Sequence, residues 1–444
     1  MKSSSYCAIV FLLGFMLTLT YATIGRENVC RTVPLKNCTF VNDNATLCGN
    51  IPTCSVPYDE FVTNARLMDG NAPRVEMSFP SWANYKLLQR GQRFVQDHWF
   101  SFSLAADMGR MANMVNADIR DVAMYTGAMS TSPVGCAKIL ASFGAKTMTW
   151  AQDLQVAPPT IPWNSDFLQS VNRIRWIHIK LSRDLLSRYR LTGVTSIVDP
   201  ATYENITTND IVWDAFHQDL VDSKIPAESR LAPPIVSEGD PSSIPFFNQQ
   251  SLAYFQFNAF TYPILMGKTF GIGAVSEDDL WAYNHLSAVI GYTFGLDDKY
   301  NVAIQPNMSS LREYYSKIYD GMVIPSLFHI NKKTKVTVEN ILVATRIHTP
   351  AWTLQLYLYR IATLLANVPA PNLAKLFNDQ DKYHDNNLRT NVLPKLLVNP
   401  AFRRETNTKA INDLIKIGRV YYGNNYTTQY GRARDTFLTP IRNV

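Results

Sequence analysis

One histidine stands out by its setting. The sequence predicts a strong helix over 166–188, with Ser165 as its N-cap and Pro162 just before it. Phe167, Val171, Ile174, Leu181 and Leu185 recur at three- and four-residue spacing and make an apolar stripe, and His178 falls inside it. Arg175 lies three residues earlier on a neighbouring face, with Arg173 and Arg183 close by. Two chemistries suit this pattern. In the first, His178 is a core histidine satisfied by a carbonyl, and the arginines are solvated. In the second, the imidazole is a ligand aimed at a haem iron. An apolar wall then suits the porphyrin plane, and cations at the pocket edge suit its two propionates.

Several other chemistries are excluded by motif. No H-E-x-x-H and no G-x-S-x-G is present. Gly267-Lys268-Thr269 looks like the end of a phosphate-binding loop, but Tyr262 stands where its first glycine is needed. Gly271-x-Gly273-x-x-Ser276 lacks the third glycine and follows no strand. His98, in Asp97-His98-Trp99, is a rival reactive imidazole or a capping residue; the remaining histidines show no ligand spacing. The net charge of +6 is spread over 444 residues without basic runs interleaved with aromatics, so nucleic acid is not an expected partner. Hydrophobic content of 46% against 18% charged residues excludes a disordered chain.

The elements that would position His178 read as helices. Apolar residues at helical spacing run from Tyr85 to Met114, and from Asp118 to Phe143 with a break at Ser132-Pro133. Residues 192–247 are a proline-rich connection with a short helix over 208–221, long enough to cover or line a site. Residues 248–267 carry no charge, yet Gln249, Gln250, Gln256, Asn258 and Pro263 predict a buried, kinked core helix rather than a membrane span. Ser276-Glu-Asp-Asp279 opens another helix that runs toward Gly295. A further apolar helix covers 349–366, and the more basic tail from Arg389 is expected to pack peripherally.

The N-terminus predicts the compartment. Lys2, the apolar run to Thr20 and the small residues near Ala22 read as a secretory signal peptide, with an uncleaved anchor as the alternative. Cys30, Cys38, Cys48 and Cys54 then read as two disulfides of open connectivity, leaving Cys136 as a buried free thiol, with a reactive thiol or haem ligand as the alternatives. Asn37, Asn44, Asn205, Asn307 and Asn425 each begin an N-x-[ST] sequon, which agrees with a secreted, glycosylated chain.

Three motifs, in order, resemble those of the rubber oxygenase (latex-clearing protein) family, which also contains the fungal ER-bound oxygenases of mycophenolic acid synthesis. Arg173-Ile-Arg175-Trp-Ile-His178 resembles that family's arginine-x-arginine-x-x-histidine helix. Pro245-Phe-Phe-Asn248-Gln249 resembles its proline-x-asparagine-glutamine helix entry, with one extra residue. Ser276-Glu-Asp-Asp-Leu-Trp-Ala-Tyr283, continuing through Gly291 to Gly295, resembles its acidic cap, tyrosine and glycine-x-x-x-glycine helix. The resemblance spans roughly residues 80–345. It implies an all-α, globin-like helical bundle around one haem b, cleaving carbon–carbon double bonds of isoprenoids with dioxygen. His178 matches the proximal ligand, with Arg175 and Arg173 as haem-edge cations. Lys146-Thr147 matches a distal lysine-threonine pair. Phe143 stands where a distal arginine is expected, and Ser182 where another arginine is expected one turn after His178.

The combined expectation has a signal peptide at 1–22 and a cysteine-rich, disulfide-stapled segment at 23–79. A haem oxygenase-like domain at 80–375 and a helical tail at 376–444 complete it. The expected activity is a secreted haem-dependent oxygenase for a small apolar, unsaturated substrate, with no membrane span after signal cleavage. Lys146 and Thr147 are the catalytic candidates, and Phe255, Phe257 and Phe260 are expected to wall a channel or pack as core. The alternatives are a haem peroxidase using His98 and a non-catalytic haem or lipid carrier.

Overall fold

Ser276 caps its helix as its sequence demands: its Oγ accepts from the Asp279 backbone N–H at 3.1 Å, and three acidic residues fill the first turn. That helix runs Glu277–Phe294 and stops at Gly295, whose φ of 117° only glycine adopts readily. A computed structural model of the chain describes residues 32–34, 50–52, 55–72, 78–126, 132–151, 165–193, 197–346, 351–424 and 426. The signal segment, the four clustered cysteines and Asn37, Asn44 and Asn425 lie outside the described residues. Asn205 and Asn307 are both exposed.

The described fold is all-α apart from one short antiparallel pair, β1 (Thr32–Pro34) with β2 (Asn50–Pro52). The helices that form the body are α1 (Tyr58–Asn64), α2 (Tyr85–Asp97), α3 (Trp99–Val115), α4 (Ala117–Tyr125), α5 (Pro133–Trp150), α6 (Asp166–Thr192) and α7 (Asp210–Val221). They continue with α8 (Gln249–Phe260), α9 (Tyr262–Met266), α10 (Glu277–Phe294), α11 (Met308–Ile318), α12 (Lys332–Thr345) and α13 (Leu354–Arg360). The C-terminal set is α14 (Pro371–Lys375), α15 (Asp379–Asn387), α16 (Leu393–Val398) and α17 (Pro400–Tyr422). Three π-helical turns, Tyr319–Val323, Ile361–Leu365 and Leu388–Val392, follow α11, α13 and α15. Among the described residues no helix is long and apolar enough to cross a membrane.

The uncharged helix α8 lies at the centre, packed against α3, α4 and α10. Its amide N–H groups find acceptors inside the protein. Gln250 donates to Val62 O at 2.9 Å, Gln256 to Ser287 O at 2.8 Å, and Asn258 to Asn113 Oδ1 at 3.0 Å. Two close helix crossings rest on glycine. A Cβ on Gly91 in α2 would stand 2.4 Å from Ala282 O in α10, and one on Gly109 in α3 would stand 2.1 Å from Asn258 O in α8.

Two expected boundaries move. Residues 55–72, read from sequence as part of an irregular extension, belong to the helical body. Phe61 is fully buried in the main core, and Arg66 grips Asp118 with two bonds of 2.9 Å while donating to Pro234 O. The tail is not peripheral either. Leu393 and Leu396 enter the main core, and α17 packs along α3 and α5. The sequence carries the apolar residues for this, but not the long-range partners that fix their place.

Candidate functional site

Helices α5 and α6 run along two sides of a cavity of about 310 Å³, closed by α4, α8 and α10. That volume is at the lower end of the ~300–1,000 Å³ common for small-molecule sites. α6 begins where the sequence places it, Ser165 Oγ accepting from Leu168 N–H at 3.3 Å, and ends on left-handed Gly193. It presents Ile174, Ile177, His178 and Leu181 to the cavity. α5 presents Ile139, Phe143 and Lys146 from the other side, and α8 adds Phe255 and Phe260.

His178 is held by rings. Phe247 stacks on it with centroids 4.7 Å apart, and Phe294 lies near-parallel at 6.2 Å. Its Nδ1 is buried and has no hydrogen-bond partner, so the carbonyl that a satisfied core histidine needs is missing. Burial, with the Lys146 charge adding to it, pushes the imidazole down to about 4, so it is neutral at physiological pH. A neutral ring is the form that can act as a ligand.

Lys146 projects into the same cavity and donates from Nζ to Ser142 Oγ one turn back, at 3.1 Å. Burial, and secondarily Arg173, lowers the ammonium to about 8. A lysine so placed is still mostly protonated at neutral pH but gives up its proton more readily than a solvated one. Phe143 packs edge-on against Phe255 at 6.0 Å and Trp150 at 5.9 Å.

The other site residues divide. Arg173 lines the cavity. Arg175 does not: it is buried against the N-terminal segment, bonding Asn71 Oδ1 at 2.8 Å and Ala72 O at 3.0 Å. Thr147 turns away as well, its hydroxyl donating to Phe143 O at 3.0 Å. Successive residues on a helix diverge by about 100°, and here that turn carries Thr147 from the Lys146 cavity to the space on the other side of α5. Phe257 packs edge-on against Tyr262 and Tyr315 in the core, away from the cavity. His98 lines a different crevice with Lys86, Arg90 and Asp279, and its own burial also pushes it down to about 4. Cys136 is a buried free thiol pushed up to about 11 by burial, an unreactive state.

Two of the sequence motifs prove to be fasteners. Asn248 caps α8 through Ser251 and donates to Asp118 Oδ2 at 2.9 Å. Gln249 donates to Asp69 O and Gly295 O at 2.8 and 3.1 Å, and accepts from Asp297 N–H at 2.9 Å. Sequence reasoning missed Arg360, a buried cation at the end of α13 that lines a second cavity. The available signal was a single charge inside the apolar run 356–366.

No protein-family model, no curated protein and no solved structure matches this chain.

Proposed function

We propose that the α5–α6 cavity seats a haem b through His178, and that the protein is a haem-dependent oxygenase for an apolar, unsaturated substrate. The observation that carries this reading is the setting of His178: a neutral, ring-stacked imidazole with an unbonded nitrogen, lining an apolar cavity opposite a buried lysine. The donor set fits the group. An imidazole would supply the axial ligand, apolar side chains suit the macrocycle, and Arg173 is a cation for a carboxylate propionate. When bound, haem supplies the redox chemistry by which dioxygen cleaves a carbon–carbon double bond.

The chain's own residues do the rest. Phe247 and Phe294 fix the plane of the His178 ring. Phe143, Phe255 and Phe260 exclude water and favour a hydrocarbon. Lys146 holds a proton at Nζ within the apolar space, where one positioned donor is worth about 10²–10⁴ in rate. The globin-like description, the disulfide-stapled extension and secretion belong to the same proposal.

A second reading, a carrier that binds without turnover, draws on two observations. Phe143 supplies no polar group at the position where the resemblance expects an arginine, and Thr147 faces away from the cavity. The peroxidase reading has no such support, since His98 and His178 line separate spaces.

The test is the absorption spectrum of secreted protein made with haem available, oxidised and dithionite-reduced, for wild type and His178→Ala. A Soret band lost in the variant supports the proposal. A featureless wild-type spectrum sinks it, and a band fully retained in the variant moves the ligand elsewhere. Oxygen uptake with an isoprenoid-like substrate then separates the enzyme from the carrier.

A further inference from the structure

Behind Phe143 lies a second and larger cavity of about 530 Å³, enclosed by α3, α5, α13, α17 and the π turn after α15. Phe143 lines both spaces and is the partition between them. Apolar side chains such as Trp99, Leu140 and Leu414 make up much of the larger wall. Its aspartate, arginine and lysine side chains are paired with one another, with one exception. Asp107 pairs with Arg110 at 2.6 Å, and Asp413 with Lys409 at 2.7 Å. The hydroxyls of Thr147 and Thr345 donate to carbonyls of their own helices.

The exception is Arg360. It is only 6% exposed, and no carboxylate among the described residues pairs with it. Its Nε is buried without an acceptor, and one Nη reaches His384 O at 3.4 Å, a long bond. The guanidinium lies 5.3 Å from the Trp352 ring centroid. The two acids that act on it through space are engaged elsewhere. Asp385 pairs with Arg389 at 2.5 Å, and Asp381 accepts from Thr353 and Gln355. A guanidinium has five N–H donors, and leaving them unmet in a buried site is costly. Two of the three described π turns also flank this place. One starts at the residue after Arg360, and the other supplies Leu388 and Val392 to the lining. Such turns are often found at functional sites.

We infer that this second cavity binds an amphipathic monocarboxylate, with Arg360 receiving the carboxylate and the hydrocarbon chain lying along the apolar wall toward Phe143. A planar guanidinium matches a carboxylate with two parallel bonds, and one unmet cation matches one negative charge better than a diphosphate. The head-group assignment stands without the haem reading; only the destination of the chain, beyond Phe143, rests on it.

The experiment measures binding of oleate and of oleyl alcohol to the purified full chain, using quenching of the cavity tryptophans Trp99 and Trp352. Oleate is expected to bind about tenfold to a hundredfold tighter than the alcohol, the range for a hydrogen-bonded charge. Arg360→Met is expected to reduce oleate to the affinity of the alcohol, and the surface control Lys317→Met to leave it unchanged. Equal affinity of wild type for oleate and oleyl alcohol overturns the proposal, as does undiminished oleate binding by Arg360→Met. Tighter binding of farnesyl diphosphate than of oleate overturns the carboxylate assignment. The wild-type comparison decides by itself if the variant does not fold. The measurement is made on protein with and without a Soret band, so a missing haem and a missing head-group site read out separately.

Discussion

Lys146 on α5 and His178 on α6 face one cavity, and the charge of the lysine adds to burial in holding the imidazole neutral. The pair therefore sits near neutral pH as a cation beside an uncharged ring. The proton is on the lysine and the free lone pair is on the histidine.

Removing the cation tests that relationship. In Lys146→Met the imidazole loses a like-charge neighbour, so its pKa is expected to rise above about 4 while burial, the larger cause, still holds it below 6.5. Histidine-selective NMR titration of the haem-free protein reads this directly. An unmoved His178 resonance would show that the two groups do not share the cavity.

Stability should fall with acid. His98, His178 and His285 are each lowered from 6.5 to about 4, chiefly by burial. Between those values the unfolded chain binds protons that the folded chain refuses. Their contribution is present above pH 6.5 and is lost as the pH falls toward 4. The loss is on the order of 1–3 kcal/mol per histidine. His178→Phe, which keeps a ring between Phe247 and Phe294, should raise the melting temperature of haem-free protein at pH 5 and flatten its pH dependence. Parallel melting curves for the two proteins across pH 4–6.5 would contradict this.

Gln249 ties three chain segments together, and its loss should be felt globally. Gln249→Leu leaves Asp69 O, Gly295 O and Asp297 N–H without this partner. The expected cost is about 2–4 kcal/mol, from unsatisfied buried groups at roughly 1–3 kcal/mol each. Urea denaturation checks it, and a change below 1 kcal/mol would mean that water replaces the amide freely.

Gly109 should tolerate no side chain. In Gly109→Ala the Cβ meets the backbone oxygen of Asn258 at 2.1 Å, and backbone at a helix crossing yields little. Overpacking of this kind costs about 1–3 kcal/mol or more. A thermal melt checks this, with exposed Asp214→Ala on α7, expected to be near neutral, as the control.

What the sequence made legible follows its locality. Ser165, Ser276 and Gly295 mark helix ends with bonds made within a few residues, so their roles are readable from the string. The stripe holding His178 is equally local. Which face meets the cavity is not. Lys146 and Thr147 are neighbours in sequence and point to different cavities, and Arg175 turns to Ala72 although it shares a helix with His178. Arg360 shows in the sequence only as a lone charge in an apolar run. Its interest lies in the acceptors it lacks, and only the three-dimensional surroundings show a lack.

The bonds that fix residues 55–72 also set a timetable. Gln250 reaches back 188 residues to Val62, and Gln249 reaches 180 to Asp69. At ribosomal rates of about 5–20 residues per second, the early segment waits roughly 10–40 s for its partners to be made. During that interval Phe61 has no core to enter. The face that α1 later buries is then open to chaperones, and the body closes only after α8 has left the ribosome.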